Sequence, residues 1–320
     1  MLFFSKKRTD ERMLESKRNK YIDNLYTALH TLSGVYTEPI NLEDAEMQPN
    51  IRECKLQKVK GQDQEVTYLL INPNRGQEGN QMVTSYSQFQ EIMDNIFFEL
   101  HGNIAFYHIR RADMSFNSDC DGDFDLYKKL HRLLLCCLSN EYNVVNCYES
   151  RDIWTLKSLN IAIKNDYMEA ENYDKFEESH GVVPTRNRLE LRSKKIKDNS
   201  TLEYEFMKKW SDRLDKASAN FKAVQMRYNA NLEKLYKLDL AKPKKEREYL
   251  NLTAFLMQHK DCIFTKMQMV DLLSRFDEVK NPVSRAENFK KKHTIEYFSQ
   301  KDLKLIVKAL KECMNRYFLS

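Results

Sequence analysis

The stretch Ile109-Arg-Arg-Ala-Asp-Met-Ser-Phe-Asn117 decides the fold class. Extended backbone turns successive side chains to opposite faces. Arg111, Asp113, Ser115 and Asn117 then share one face, and Ala112, Met114 and Phe116 share the other. This polar-and-apolar stretch belongs to a long strand expected from Ile104 to Asn117, which lies between two amphipathic helices. Ser87 to Leu100 carries Phe89, Ile92, Ile96, Phe97 and Leu100 at helical spacing, and His101-Gly102-Asn103 ends it. Asp123 to Asn140 does the same with Phe124, Tyr127, Leu130, Leu133, Leu134, Cys137 and Leu138. Working outward, Glu65 to Ile71 reads as a strand closed by the turn Asn72-Pro-Asn-Arg-Gly76. Further strands are expected at Tyr142–Tyr148, Leu156–Lys164, Tyr167–Asp174 and Arg188–Lys194, and a helix at Tyr21–His30. The pattern predicts an α+β fold: an antiparallel sheet with helices on one face, followed by an all-helical C-terminal region. That region starts at Thr201, where helical periodicity takes over. Pro243 and the charged run Lys242 to Glu248 mark a joint, and residues 249–320 read as three or four short helices. The division expected is 1–60, of open role, 61–200, the α+β domain, and 201–320, a basic helical domain.

Composition narrows the function classes. The chain has 320 residues, 42% hydrophobic and 31% charged, enough to bury a core. Glycine (7) and proline (6) are scarce, and neither GxxxxGK[ST] nor GxGxxG occurs, so no glycine-rich loop cradles a nucleotide. No run of about 18 apolar residues could span a bilayer, so no membrane association is expected. The apolar start Met1-Leu-Phe-Phe is too short for a signal peptide. Seven cysteines without CxxC or HxxxH spacing predict a reduced, cytoplasmic protein lacking disulfides and structural zinc. The net charge of +5 is unevenly spread: residues 186–320 carry 31 Lys and Arg against 18 Asp and Glu, +13, leaving −8 on residues 1–185. The second half suits a polyanionic partner. A solvated helical surface rich in lysine would look the same.

Three strands repeat the two-faced pattern. Glu169, Glu171 and Tyr173 share a face with Lys175 next in phase, and Arg188, Glu190 and Arg192 share one opposite Leu189 and Leu191. An antiparallel sheet wetted on one side shows this alternation by default. The mixture of carboxylates, arginines and a tyrosine is less ordinary. Two carboxylates that meet there could hold a divalent cation through oxygen, and a cation could polarise a phosphodiester. A tyrosine hydroxyl could attack it, provided the cation or Lys175 favours the phenolate over a pKa of about 10.

The order of Ile109-Arg-Arg-Ala-Asp-Met-Ser-Phe-Asn117, the acidic turn Asp119-Cys-Asp-Gly-Asp123, Glu171-Asn-Tyr-Asp-Lys-Phe-Glu-Glu178 and Arg186-Asn-Arg-Leu-Glu-Leu-Arg192 resembles a known family. It is similar to the rolling-circle plasmid replication initiators of Gram-positive bacteria and the related conjugative relaxases. The resemblance covers roughly residues 87 to 195. It implies nicking of one DNA strand through a covalent 5′-phosphotyrosine intermediate, assisted by Mg²⁺ or Mn²⁺. Carried over by motif, it implies Asp113 and Glu190 as metal ligands and Tyr173 as nucleophile. It places Arg111, Lys175 and Arg188 on the scissile phosphate or the DNA backbone, with Lys175 in the catalytic site beside Tyr173; Arg192, on the same face as Arg188, is a further DNA-contact candidate. The chain departs from the family at Asn117, where a second acidic residue often stands, which shifts a further ligand toward Asp119 or Asp121.

Other readings of the same residues are weaker. The run Asp119 to Asp125 begins like an EF-hand loop, but Phe124 stands where glycine is required and Leu130 where the last carboxylate belongs. An acidic turn capping the next helix is the better reading. Thr265–Phe276 and Val283–His293 are compatible with a helix-turn-helix across 265–293, with Ser284 as cap and Arg285, Asn288, Lys291 and Lys292 facing groove or phosphates. A helical bundle with a basic exterior fits them equally. Taken together, the sequence predicts an initiator that binds plasmid origin DNA and nicks it. A host helicase or replisome is a further partner, and a homodimer is expected if the origin is a two-fold repeat. A non-catalytic origin-binding regulator and a conjugative relaxase are the alternatives.

Overall fold

The computed structural model describes residues 23–59, 61, 63–75, 82–118, 124–138, 161–175, 182, 187–293, 295 and 297–320. It contains a seven-stranded sheet. The strands are β1 (Tyr26–Tyr36), β2 (Ile51–Lys58), β3 (Glu65–Ile71), β4 (Tyr107–Ser118), β5 (Ile161–Lys164), β6 (Met168–Asp174) and β7 (Asn187–Lys194). Their order across the sheet is β2-β3-β1-β4-β7-β6-β5. The registered pairs, β2 with β3, β3 with β1, β1 with β4, β4 with β7 and β7 with β6, are antiparallel. The helices are α1 (Leu42–Met47), α2 (Tyr86–Glu99), α3 (Phe124–Leu138), α4 (Ser211–Ala219), α5 (Phe221–Leu240), α6 (Leu252–Gln258), α7 (Lys266–Ser274), α8 (Pro282–His293) and α9 (Gln300–Leu319). A π-helical stretch over Tyr204–Trp210 precedes α4. The α+β class and the helical C-terminal region stand as the sequence predicts. No described helix is long and apolar enough to cross a membrane.

The structure divides into two units that the linear boundaries at 60 and 200 do not follow. One comprises residues 1–121, 164–212 and 308–320; the other comprises 122–163 and 213–307. The physical reason is strand pairing. β1 and β2 precede residue 60, yet they take part in the sheet, and β1 lies between β3 and β4. The same pairing overturns the helix expected at Tyr21–His30. Tyr26-Thr-Ala-Leu-His-Thr-Leu runs as a strand because β4 pairs along it from Tyr26↔Asn117 onward, and β3 joins on the other edge from Leu32. The expected strand at 142–148, residues 156–160 of the next one and the acidic turn at 119–123 lie outside the described residues.

Two register breaks lie between β1 and β4. Leu29 pairs with Met114 and Thr31 with Asp113, so His30 is the extra residue of a β-bulge in β1. Ser33 pairs with Arg111 and Gly34 with Ile109, so Arg110 is the extra residue in β4. The second break returns Tyr107 to the apolar face of β4, where it meets Phe97 of α2 with ring centroids 5.3 Å apart. Phe97 also stacks on Tyr36 at 5.2 Å. The end of α9 joins this unit through Tyr317 and Phe318, which contact Tyr86.

In the helical unit, α5, α6, α7 and α8 bury Leu232, Tyr236, Phe255, Leu272, Phe276 and Phe289 together. Asn229 ties α5 to α7 by donating to the Gln268 carbonyl (2.9 Å) and to Asp271 Oδ2 (2.7 Å). Helix α8 starts one residue earlier than expected, and its cap is Asn281, whose Oδ1 accepts from the Ser284 amide at 3.0 Å; Ser284 is therefore inside the first turn rather than the cap. The connection between α7 and α8 spans 275–281, longer than a three- or four-residue turn.

Candidate active site

Cross-strand register assembles the charged residues into three rungs across β4, β7 and β6. Asp113 faces Arg192, which faces Glu169. Ser115 faces Glu190, which faces Glu171. Asn117 faces Arg188, which faces Tyr173. Directly opposed residues share a face of the sheet, so residues from three separate segments meet on one surface. Asp113, Tyr173 and Glu190 are thus brought together.

The contacts are specific. The Tyr173 hydroxyl donates to Glu190 Oε1 at 2.5 Å. Arg192 Nη2 reaches Glu190 Oε2 and Glu171 Oε2, both at 2.6 Å, while its Nη1 pairs with Glu169 and its Nε lies 3.5 Å from Asp113 Oδ2. Arg111 grips Asp113 with two hydrogen bonds, at 2.9 and 2.6 Å. Arg188 Nε donates to Asn117 Oδ1 at 2.6 Å, and its Nη1 is 3.8 Å from Glu190 Oε1. Lys194 Nζ reaches Glu169 at 3.1 Å. Lys175 Nζ lies 5.8 Å from the centre of the Tyr173 ring.

The sequence suggests that these charged faces form an open surface. Instead the face is closed: Asp113, Tyr173 and Glu190 are 2%, 6% and 3% exposed. Burial sets the electrostatics. It pushes the Tyr173 hydroxyl well above its ordinary value, the negative charge of Glu190 adds to that, and Arg188 pulls the other way without prevailing. Tyr173 is thus held as the neutral phenol, opposite to the activation by Lys175 that its position suggested. Burial would also raise Glu190, but His30, Arg192, the Tyr173 hydroxyl and Arg188 together draw it down to about 2. Asp113 goes the other way: burial raises it despite Arg111 and Arg192. His30 is lowered to about 4, first by burial and then by Arg188.

Carboxylate oxygens have the right chemistry for Mg²⁺ or Mn²⁺, but the pair is already taken. Both oxygens of Asp113 are held by Arg111, and the two of Glu190 are held by Tyr173 and Arg192. Among the described residues no group of three or more His, Cys, Asp or Glu is arranged to hold a metal ion. As arranged, the expected ligands do not fit a bridging cation. The DNA-contact candidates Arg285, Asn288, Lys291 and Lys292 are all exposed on α8 of the helical unit. Sequence reasoning passed over His30, because nothing in a single sequence announces a bulge. It took Glu169 and Glu171 as mere face-mates of Tyr173, and the register makes them ligands of Arg192.

No protein-family model matches the chain, and no curated protein matches it. Among solved structures, it is similar to a rolling circle replication initiator protein from Geobacillus stearothermophilus, over 53% of this chain and 74% of that one, with 10% identity and a TM-score of 0.27. A TM-score of that size is too low to carry fold or function across.

Proposed function

We propose that the chain is a replication initiator that nicks one strand of its origin with Tyr173. The observation that carries this reading is the 2.5 Å contact between the Tyr173 hydroxyl and Glu190, set among Arg188, Arg192 and Asp113. Glu190 orients the phenolic hydroxyl, and once the site opens to water the proton passes to solvent as the tyrosine oxygen attacks a backbone phosphorus. The new bond is O(Tyr)–P. The bond that breaks is P–O3′, and the departing 3′ oxygen takes a proton from solvent. Arg188 and Arg192 face the charge that builds on the phosphoryl oxygens. The phosphodiester energy is kept in the phosphotyrosine, so the reverse attack rejoins the strand. Tyr173 is buried in this state, so the strand reaches it only after the site opens. In the helical unit, α8 offers Arg285, Asn288, Lys291 and Lys292 to duplex DNA.

The test is a denaturing gel after incubation with supercoiled cognate plasmid or labelled origin oligonucleotide. Wild type should give a covalent protein–DNA band and Tyr173→Phe none. An adduct from Tyr173→Phe equal to wild type refutes the assignment. The burial of Tyr173 favours one second reading, a non-catalytic origin-binding initiator; that protein would shift the DNA in a native gel and leave no adduct in a denaturing one.

A further inference from the structure

We infer that Arg192 is the resident cation of a four-carboxylate pocket, and that its guanidinium and a divalent metal ion exclude each other at Asp113 and Glu190. The inference rests on reading this face as the active site, and it adds how the site is held shut against metal.

Asp113 on β4, Glu190 on β7, and Glu169 and Glu171 on β6 converge on one side chain. Arg192 sits on the central strand of the three, paired with Asp113 on one side and Glu169 on the other. A planar guanidinium can serve several carboxylates at once because its five N–H groups point in fixed, diverging directions. Here each of its three nitrogens is used. Its side chain is 15% exposed, so the contacts are made where water screens them weakly.

Charge accounting favours exclusion. The four carboxylates are matched by four cations, Arg111, Arg188, Arg192 and Lys194, each paired with at least one of them. Adding a divalent ion to this balanced set crowds two positive groups onto the same oxygens. Removing the positive charge of residue 192 leaves a buried excess of one negative charge, which an ion from solution can relieve. Arg192 therefore has to leave Asp113 and Glu190 before a metal can take them.

Manganese alone is the probe, followed by the loss of the free Mn²⁺ signal in electron paramagnetic resonance on the full chain without DNA. Arg192→Gln should bind one Mn²⁺ at least tenfold more tightly than wild type. Adding Asp113→Asn to that variant should abolish the gain. Equal affinity in wild type and Arg192→Gln, or a gain that survives Asp113→Asn, overturns the inference. Circular dichroism checks folding. Should Arg192→Gln fail to fold, Arg192→Met takes its place, since it also removes the positive charge and fills the space of the side-chain stem; the same gain is expected, and no gain overturns the inference. Because the readout is metal binding, it is independent of the nicking assay. Adduct formation by Tyr173→Phe would remove Tyr173 as the nucleophile and leave the exchange standing, and failure of the exchange would leave the nicking assay untouched.

Discussion

Asp113 and Glu190 occupy matching places in the sequence pattern, yet their environments predict opposite responses to loss of charge. The perturbation is Glu190→Gln set against Asp113→Asn. Glu190 is held at about 2 against an ordinary 4.5, a shift that corresponds to about 3 kcal/mol. Its largest lowering cause is His30, which carries charge only below about 4, so at neutral pH the ionised form favours folding by less than that. That stability is present above pH 4.5 and is lost as pH falls toward 2. Glu190→Gln should therefore cost about 1 to 2 kcal/mol at pH 7, and its stability should change less than that of wild type between pH 5 and 3. Asp113 has a raised pKa, because burial outweighs Arg111 and Arg192. Its folded form binds the proton more readily than its unfolded form, so its charge opposes folding at neutral pH and acid relieves it. Asp113→Asn should be near neutral or slightly stabilising at pH 7. The assay is urea denaturation of wild type and both variants at pH 7 and pH 4, with the slope checked for constancy. A cost for Asp113→Asn at pH 7 equal to or above that for Glu190→Gln refutes the electrostatic account of the site.

Three further outcomes follow from single contacts. Gly34 packs where an added Cβ would strike the His108 carbonyl and come within 2.9 Å of the Tyr107 ring, so Gly34→Ala should push β1 off β4 and cost roughly 3 kcal/mol, the upper end for overpacking, read as a lower denaturation midpoint. His259 is lowered to about 4, chiefly by burial against a weaker opposing pull from Glu248; the unfolded state takes up the proton first, so stability should fall by up to about 3 kcal/mol as pH drops from 6.5 to 4, and a His259→Phe variant should flatten that slope in denaturation at pH 7 and 4.5. Replacing both Arg285 and Lys292, exposed on α8, by alanine should weaken duplex binding and lower the salt slope by roughly 2, measured by fluorescence anisotropy over a salt series; an unchanged slope removes α8 from the DNA interface.

Local pattern was enough for much of this protein. The period-two alternation of 167–174 and 188–194 located β6 and β7 to within a residue, and the strand expected over 104–117 is β4 from Tyr107 on, its first three residues forming a 3-10 turn; the same alternation assigned Asp113, Tyr173 and Glu190 to polar faces, because side-chain direction in a strand depends on the backbone alone. Helical spacing did the same for α2, α3 and α7. Other features depended on partners distant in sequence. Tyr26 to His30 has no strong strand signature, and only pairing with β4 makes it extended. The bulge that carries His30 is a register event between two strands, so neither strand encodes it by itself. The same holds for Arg192: its place among Glu169, Glu171, Glu190 and Asp113 follows from which strands are neighbours. Burial, which separates the charge states of Asp113 and Glu190 and keeps Tyr173 a neutral phenol, is a property of the folded molecule and not of any one strand.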